Sequence, residues 1–206
     1  MELITALSKT MPFAFASGLN LYATIAVLGL VQHFQLASLP PQFAPFGHPV
    51  VIGVALALYL VEFVADKIPW VDSVWDMAHT IVRPLGGAVV AITALGSPSA
   101  GMDALAGALG ASVALASHLT KAGARAAANA SPEPFSNWLL SFAEDLVAIG
   151  LVYFATKHPV IALGITLLLL TLILVFATVV VRFVRRRFVR RREWAAGALP
   201  AGSLKV

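Results

Sequence analysis

The chain has 206 residues, 59% of them hydrophobic and only 12% charged, and a mean hydropathy of +0.88, whereas a soluble domain carries roughly 45–50% apolar and about 25% charged residues. That composition excludes a water-soluble globular fold and makes the bilayer the solvent. The net charge of +4 does not point to nucleic acid, because half of the fourteen Lys and Arg lie in one run, Arg182 to Arg192, directly after the longest apolar segment.

A helical crossing takes about 20 mostly apolar residues, since every backbone amide must be satisfied within the segment. About six such segments fit, so the expected class is an all-α polytopic membrane protein with broken or re-entrant segments. The first span is predicted over Met11 to Val31, too long for the apolar region of a cleaved signal peptide. A connection over Gln32 to His48 leads to the second, Pro49 to Ala65. Beyond it Asp72, Asp76, His79 and Arg83 stand on one helical face. Two readings follow. Either this is a surface helix with Trp70 and Trp75 in the interfacial belt, or it dips into the bilayer and begins the third span, because Pro84 to Gly96 alone is too short to cross.

The fourth span, Gly101 to Ser117, has small residues at Ala106, Gly110 and Ala114, a spacing suited to close helix packing. Lys121, Arg125 and Asn129 share a face beyond it, and Pro132 and Pro134 are expected to break that helix. Whether 68–83 and 118–137 lie in the interface or re-enter the membrane stays open. The fifth span, Trp138 to Thr156, carries Glu144 and Asp145; the sixth, Pro159 to Val181, carries no charge.

Cytoplasmic loops concentrate Lys and Arg, and with an internal N-terminus thirteen of the fourteen fall inside, only Lys157 outside. The expected layout is a membrane domain over 1–181 and a basic cytoplasmic tail over 182–206 that contacts anionic lipid. Three spans on either side of Gly101 suggest halves 1–100 and 101–181 related as an inverted repeat. The echo of Ala16-Ser17-Gly18-Leu19-Asn20 in Ala116-Ser117-His118-Leu119-Thr120 favours this. The echo of His48-Pro49-Val50 in His158-Pro159-Val160 opposes it, since it precedes spans that the repeat does not pair.

An ionisable group at the centre of a span costs about 2.5–3.5 kcal/mol unless it faces protein or water, so such residues are functional candidates. Glu62 and Asp66, one turn apart, form a carboxylate pair able to hold a proton or cation, with Asn20 and Asn137 as neutral groups sharing the cavity. The alternative is that Asp66 and Lys67 mark the interface and Glu62 pairs with a basic neighbour. Adjacent Glu144 and Asp145 point about 100° apart, and one is expected to meet Lys121 or Arg125. Asp72, Asp76, His79, Arg83, Lys121, Arg125, Asn129, Glu144 and Asp145 make up the supporting or alternative site.

No catalytic residue, metal site or cofactor is expected, because the five His are scattered, there is no Cys, and no nucleophile-elbow pattern occurs. The leading function is a small transporter or channel for an ion or small polar solute, working between two halves through buried carboxylates. The alternatives are a membrane scaffold or assembly protein, and an enzyme acting on lipid through Asp72, Asp76 and His79. Transport predicts a water path to Glu62 and Asn20, a scaffold predicts those groups paired and dry, and an enzyme predicts a lateral opening beside Asp72 and His79. On the transport reading, Glu62→Gln abolishes flux in a folded protein and Asp145→Asn acts on stability. The expected partners are bilayer lipid, anionic lipid at the Arg-rich tail and the solute; assembly with further copies is left open.

The segments GLNLYAT at 18–24, VEFVADKIPWVDSVWDMAHTIVRPLGGA at 61–88 and NASPEPFSNWLLSFAED at 129–145 resemble the membrane family catalogued as domain of unknown function 4126. The resemblance runs from about Pro12 to the end of the sixth span and leaves out the Arg-rich tail. It implies a multi-pass protein of a bacterial inner membrane, and it brings no activity, substrate or catalytic residue with it.

Overall fold

The structure, a computed structural model, describes residues 2–96, 99–129 and 135–197. It is built of helices, with no strand among the described residues. They are α1 (Glu2–Leu19), α2 (Leu21–His33), a short 3-10 helix (Pro41–Gly47), α3 (Pro49–Ala65), α4 (Pro69–Leu95), α5 (Ala100–Asn129), α6 (Phe135–Lys157) and α7 (Pro159–Gly197). The chain divides into two compact units, Met1–Leu168 and Leu169–Val206. The first holds all the polar residues discussed below. The described part of the second is the continuation of α7, where Leu172, Leu174, Phe176 and Val179 are exposed, as suits contact with lipid.

Four helices are long and apolar enough to cross a membrane: Trp70–Leu95, Ala100–Ala128, Asn137–Lys157 and Pro159–Val179. A fifth is added if the 3-10 helix and α3, bent by 66°, count as one span. The first expected span, Met11 to Val31, is not one helix. It breaks at Asn20, whose extended backbone (φ −150°, ψ 102°) ends α1, while its side-chain oxygen accepts from the Ala23 amide at 2.9 Å and starts α2. The end of α1 is buried on every side, from Pro12 to Leu19, and packs against α4, α5 and α6.

The polar stretch after Ala65 and the short third span are one continuous helix, α4, which runs through Pro84 to the left-handed cap at Gly96 (φ 60°). It is amphipathic in the inverted sense. Asp72, Asp76, His79 and Arg83 are buried in protein, whereas Trp70, Met77, Ile81 and Leu85 are exposed, so the apolar stripe is the outer one. The surface-helix reading missed this because a stripe of polar residues looks the same whether it faces water or a polar protein interior. Likewise α5 continues without interruption past Ser117 to Asn129. Pro132 and Pro134 lie outside the described residues.

Small residues set the spacing of the core. A Cβ on Gly18 of α1 would stand 2.1 Å from the Ala114 carbonyl oxygen of α5. One on Gly110 of α5 would stand 2.5 Å from Ala91 Cβ and 2.7 Å from the Gly87 oxygen of α4. With no side chain in the way, α1, α4 and α5 approach backbone to backbone, which brings the polar stripes of α4 and α5 against the end of α1.

Candidate functional site: a buried ionic network

Three cations from two helices form the centre. Arg83 comes from α4, and Lys121 and Arg125 stand one turn apart on α5; all three are buried. Arg83 Nη2 donates to Glu62 Oε1 at 2.7 Å, and its Nη1 lies 3.3 Å from Asp76 Oδ1, within ion-pair distance. Lys121 Nζ donates to Glu62 Oε1 at 3.2 Å and to Asp66 Oδ2 at 3.1 Å. The two carboxylates expected to share a proton are therefore bridged by a lysine. Arg125 donates through Nη2 to Asp66 Oδ2 at 2.8 Å and to Glu144 Oε2 at 2.7 Å, and through Nη1 to Asp72 Oδ1 at 3.3 Å.

Asn137 joins this group and not the surroundings of Glu62. Its amide donates to the Asp66 carbonyl at 3.0 Å, and its oxygen accepts from Arg125 at 3.3 Å. Asn129 ends α5, and its side chain lies outside the described part of the structure.

The break at Asn20 supplies the other wall. The last carbonyls of a helix carry its negative dipole and have no partner within it. Here Lys121 donates to the Leu19 oxygen at 3.2 Å and Arg83 to the Gly18 oxygen at 3.4 Å. On the far side of the break, the Asn20 amide donates to Asp145 Oδ1 at 2.9 Å. Asn20 and Asn137, expected together, thus serve different groups, Asn20 the Asp145 carboxylate and Asn137 the Asp66 backbone carbonyl and Arg125. Glu144 and Asp145 also divide, Glu144 toward Arg125 and Asp145 toward Asn20.

Two histidines are fixed by their partners. Arg83 can only donate, so His118 Nδ1, 2.7 Å from its Nη1, presents a lone pair and the ring carries its proton on Nε2. That proton goes to Thr80 Oγ1 at 3.1 Å, whose own hydroxyl donates to the Asp76 carbonyl at 3.0 Å. His79 Nδ1 lies 2.8 Å from the Trp75 carbonyl, which places a proton there; Nε2, 3.0 Å from the Tyr22 hydroxyl, is left to accept from it. Sequence reasoning did not select His118 or Tyr22. The signal for His118 was its spacing, three before Lys121 and seven before Arg125, on the same face of α5. Tyr22 had none, because a straight first span would not turn it toward α4. Lys67, in the connection after α3, donates to the Phe63 carbonyl at 2.9 Å and lies 3.1 Å from the centre of the Phe63 ring. Burial lowers its pKa, against the pull of Asp145 and Asp66.

The charges do not balance. Glu62, Asp66, Asp72, Asp76, Glu144 and Asp145 face Arg83, Lys121 and Arg125, with Lys67 at the edge. Glu62 Oε2, Asp66 Oδ1, Asp76 Oδ1 and Asp145 Oδ2 are buried without a hydrogen-bond partner. Among the described residues no Lys, Arg or His lies within ion-pair distance of Asp145, and no group of three or more His, Asp and Glu is placed to hold a metal ion.

A family model described as a domain of unknown function, DUF4126, matches residues 7–179. The chain belongs to this family. The match contains every residue of the network, and the three segments that carried the resemblance supply most of it: Asn20 and Tyr22 from the first, Glu62 to Arg83 from the second, Asn137 to Asp145 from the third. No curated protein and no solved structure matches the chain.

Proposed function

We propose that the chain is a small membrane transporter for an ion or small polar solute, and that protons neutralise its excess of buried carboxylates. The supporting observation is Asp145: buried, held on Oδ1 by Asn20 and hydrogen-bonded by the Tyr59 side chain, with Oδ2 unpartnered. Among the described residues it has no cation within ion-pair distance, Lys67 and Lys121 acting on it from further off. An unpaired carboxylate at such depth is costly, and a purely structural network is expected to match its charges. The unpaired acid stands where α1 and α2 interrupt one another, the kind of broken segment around which transporter sites are built. On this reading Asp145 is the proton-binding group, and Glu62 and Asp66, bridged by Lys121, hold the surrounding framework.

The finer topology belongs to the same proposal: six crossings, α1 and α2 together making the first, both termini in the cytoplasm of a bacterial cell, halves 1–100 and 101–181 forming one membrane domain, and the tail 182–206 on anionic lipid. A scaffold is the second reading, favoured by Glu62 and Asn20 being fully buried and hydrogen-bonded. An enzyme acting on lipid gains nothing from the geometry, since Asp72 and His79 face Arg125 and Tyr22.

Reconstitution in liposomes under an imposed pH gradient separates the two remaining readings. Transport requires proton flux, alone or with an added solute, that Asp145→Asn removes from a protein of unchanged melting temperature. Wild-type vesicles as tight as empty ones to protons and to ion and polyol panels would leave the scaffold.

A further inference from the structure

Asn20 and Asp145 touch, and twelve residues further along both helices Gln32 and Lys157 line one cavity. Two helices that meet at both ends of equal intervals run side by side in the same direction, so this cavity lies about 18 Å along α2 and α6 from the unpaired carboxylate. It is a depression of about 770 Å³ that opens to the surface, bordered by Gln32, Gln35, Leu36, Ser38, Thr156 and Lys157, with Ala37 and Leu39 completing its wall. That volume falls in the range of small-molecule sites.

One residue is there at the expense of the backbone. Gln35 has φ 52°, the left-handed conformation in which a helix commonly ends, with the Leu36 amide donating back to the Val31 carbonyl at 3.0 Å. Glycine is the usual residue at this position because it has no Cβ penalty. A glutamine held there, with its amide at the cavity, is strain of the kind that gathers at ligand sites.

We infer that the cavity is a binding site for a small, neutral, polyhydroxylated solute. Its groups are two amides, two hydroxyls and the backbone carbonyl of Leu36, which together offer donors and acceptors without a carboxylate. The single charge, Lys157, already donates to the Leu36 oxygen. A cation would meet that ammonium, and an anion moving along α2 and α6 would meet the acid excess around Asp145; a neutral hydroxylated molecule meets neither penalty. The inference supplies a solute class for the transport reading on which it rests. Because its test measures binding and not flux, either can fail alone.

The chain has no cysteine, so Ala37→Cys, at the wall of the depression and with no polar group to lose, gives a single reporter for a membrane-impermeant maleimide on protein in nanodiscs. Sorbitol at about ten times its Kd should slow labelling about tenfold, in proportion to occupancy, while succinate and choline at the same concentration should not. Gln35→Gly suits the backbone better and should melt no lower, yet it should lose the protection. Leu39→Cys repeats the measurement should Ala37→Cys itself disturb the site. Labelling unaffected by sorbitol at both reporters, protection that persists in Gln35→Gly, or stronger protection by succinate or choline would each overturn the assignment.

Discussion

Asn20 holds Asp145 across 125 positions of sequence with one amide hydrogen bond of 2.9 Å, and with its other atom it caps the helix that begins beside it. Both ends of one side chain are thus committed, one to local structure and one to the site. Asn20→Ala should lower stability by about 2–4 kcal/mol, combining a lost N-cap with a stranded buried acceptor. In a cycle with Asp145→Ala, the two losses should fall short of adding, by roughly 0.5–3 kcal/mol. Strict additivity in thermal or denaturant unfolding would show that the contact carries no energy.

The close approach of α1 and α5 predicts a contrast between two glycines. Gly18→Ala would drive its methyl to 1.9 Å from Ser117 Oγ and 2.1 Å from a backbone oxygen that cannot step aside, at a cost of about 1–3 kcal/mol or more. Gly150→Ala in α6 meets nothing within 4 Å and should gain about 0.5–1 kcal/mol from helix propensity. Melting of the two variants in one detergent compares them directly.

Among the described residues, Lys121 is the one cation that contacts both Glu62 and Asp66. Lys121→Met keeps the length of the side chain and leaves two carboxylates facing each other, which should destabilise by about 3–5 kcal/mol. Adding Glu62→Gln to that variant removes one of the two facing buried charges and should restore part of the loss. A double variant less stable than Lys121→Met alone would argue against the bridge.

Much of this was legible in the residues, and the part that was not has a physical cause. The spacing of Asp72, Asp76, His79 and Arg83 fixed their common face, but spacing cannot say whether that face looks at water or at Lys121 and Arg125. Asn20 was readable as a polar residue inside an apolar run, yet whether it bends, caps or merely hydrogen-bonds depends on a partner 125 positions away. That one of the adjacent acids Glu144 and Asp145 would meet Lys121 or Arg125 could be expected from their divergence of about 100° on a helix, but not which acid or which cation. That Asp145 would be left to an amide could not be read, because it depends on where α1 stops.

The membrane layout predicts labelling without background, because no native thiol competes. Cysteines at Gln42 and Gly101 should react with an impermeant maleimide added outside intact cells, and a reporter fused after Val206 should read cytoplasmic. The expectation rests on the thirteen-to-one division of basic residues. Reaction of Gln42→Cys only from the inner face would invert the layout.

The last prediction exchanges the roles that sequence alone suggests for Glu62 and Asp145. One oxygen of Glu62 accepts from both Arg83 and Lys121, so Glu62→Gln takes the negative charge away from two buried cations. Removing one member of such a group costs about 3–5 kcal/mol, and the damage should appear as a lower melting temperature. Asp145 has, among the described residues, no cation within ion-pair distance to abandon. Asp145→Asn keeps an oxygen for the Asn20 amide and for Tyr59, removes a buried charge that no cation contacts directly, and should leave stability unchanged or raise it. Its effect belongs in proton-dependent flux, which should be lost while the protein remains folded. The two variants measured together, each for melting and for flux, should therefore move along different axes. A Glu62→Gln protein that melts like wild type and has lost transport, beside an Asp145→Asn protein that unfolds easily and still transports, would return the proton to Glu62 and make Asp145 a strut of the fold.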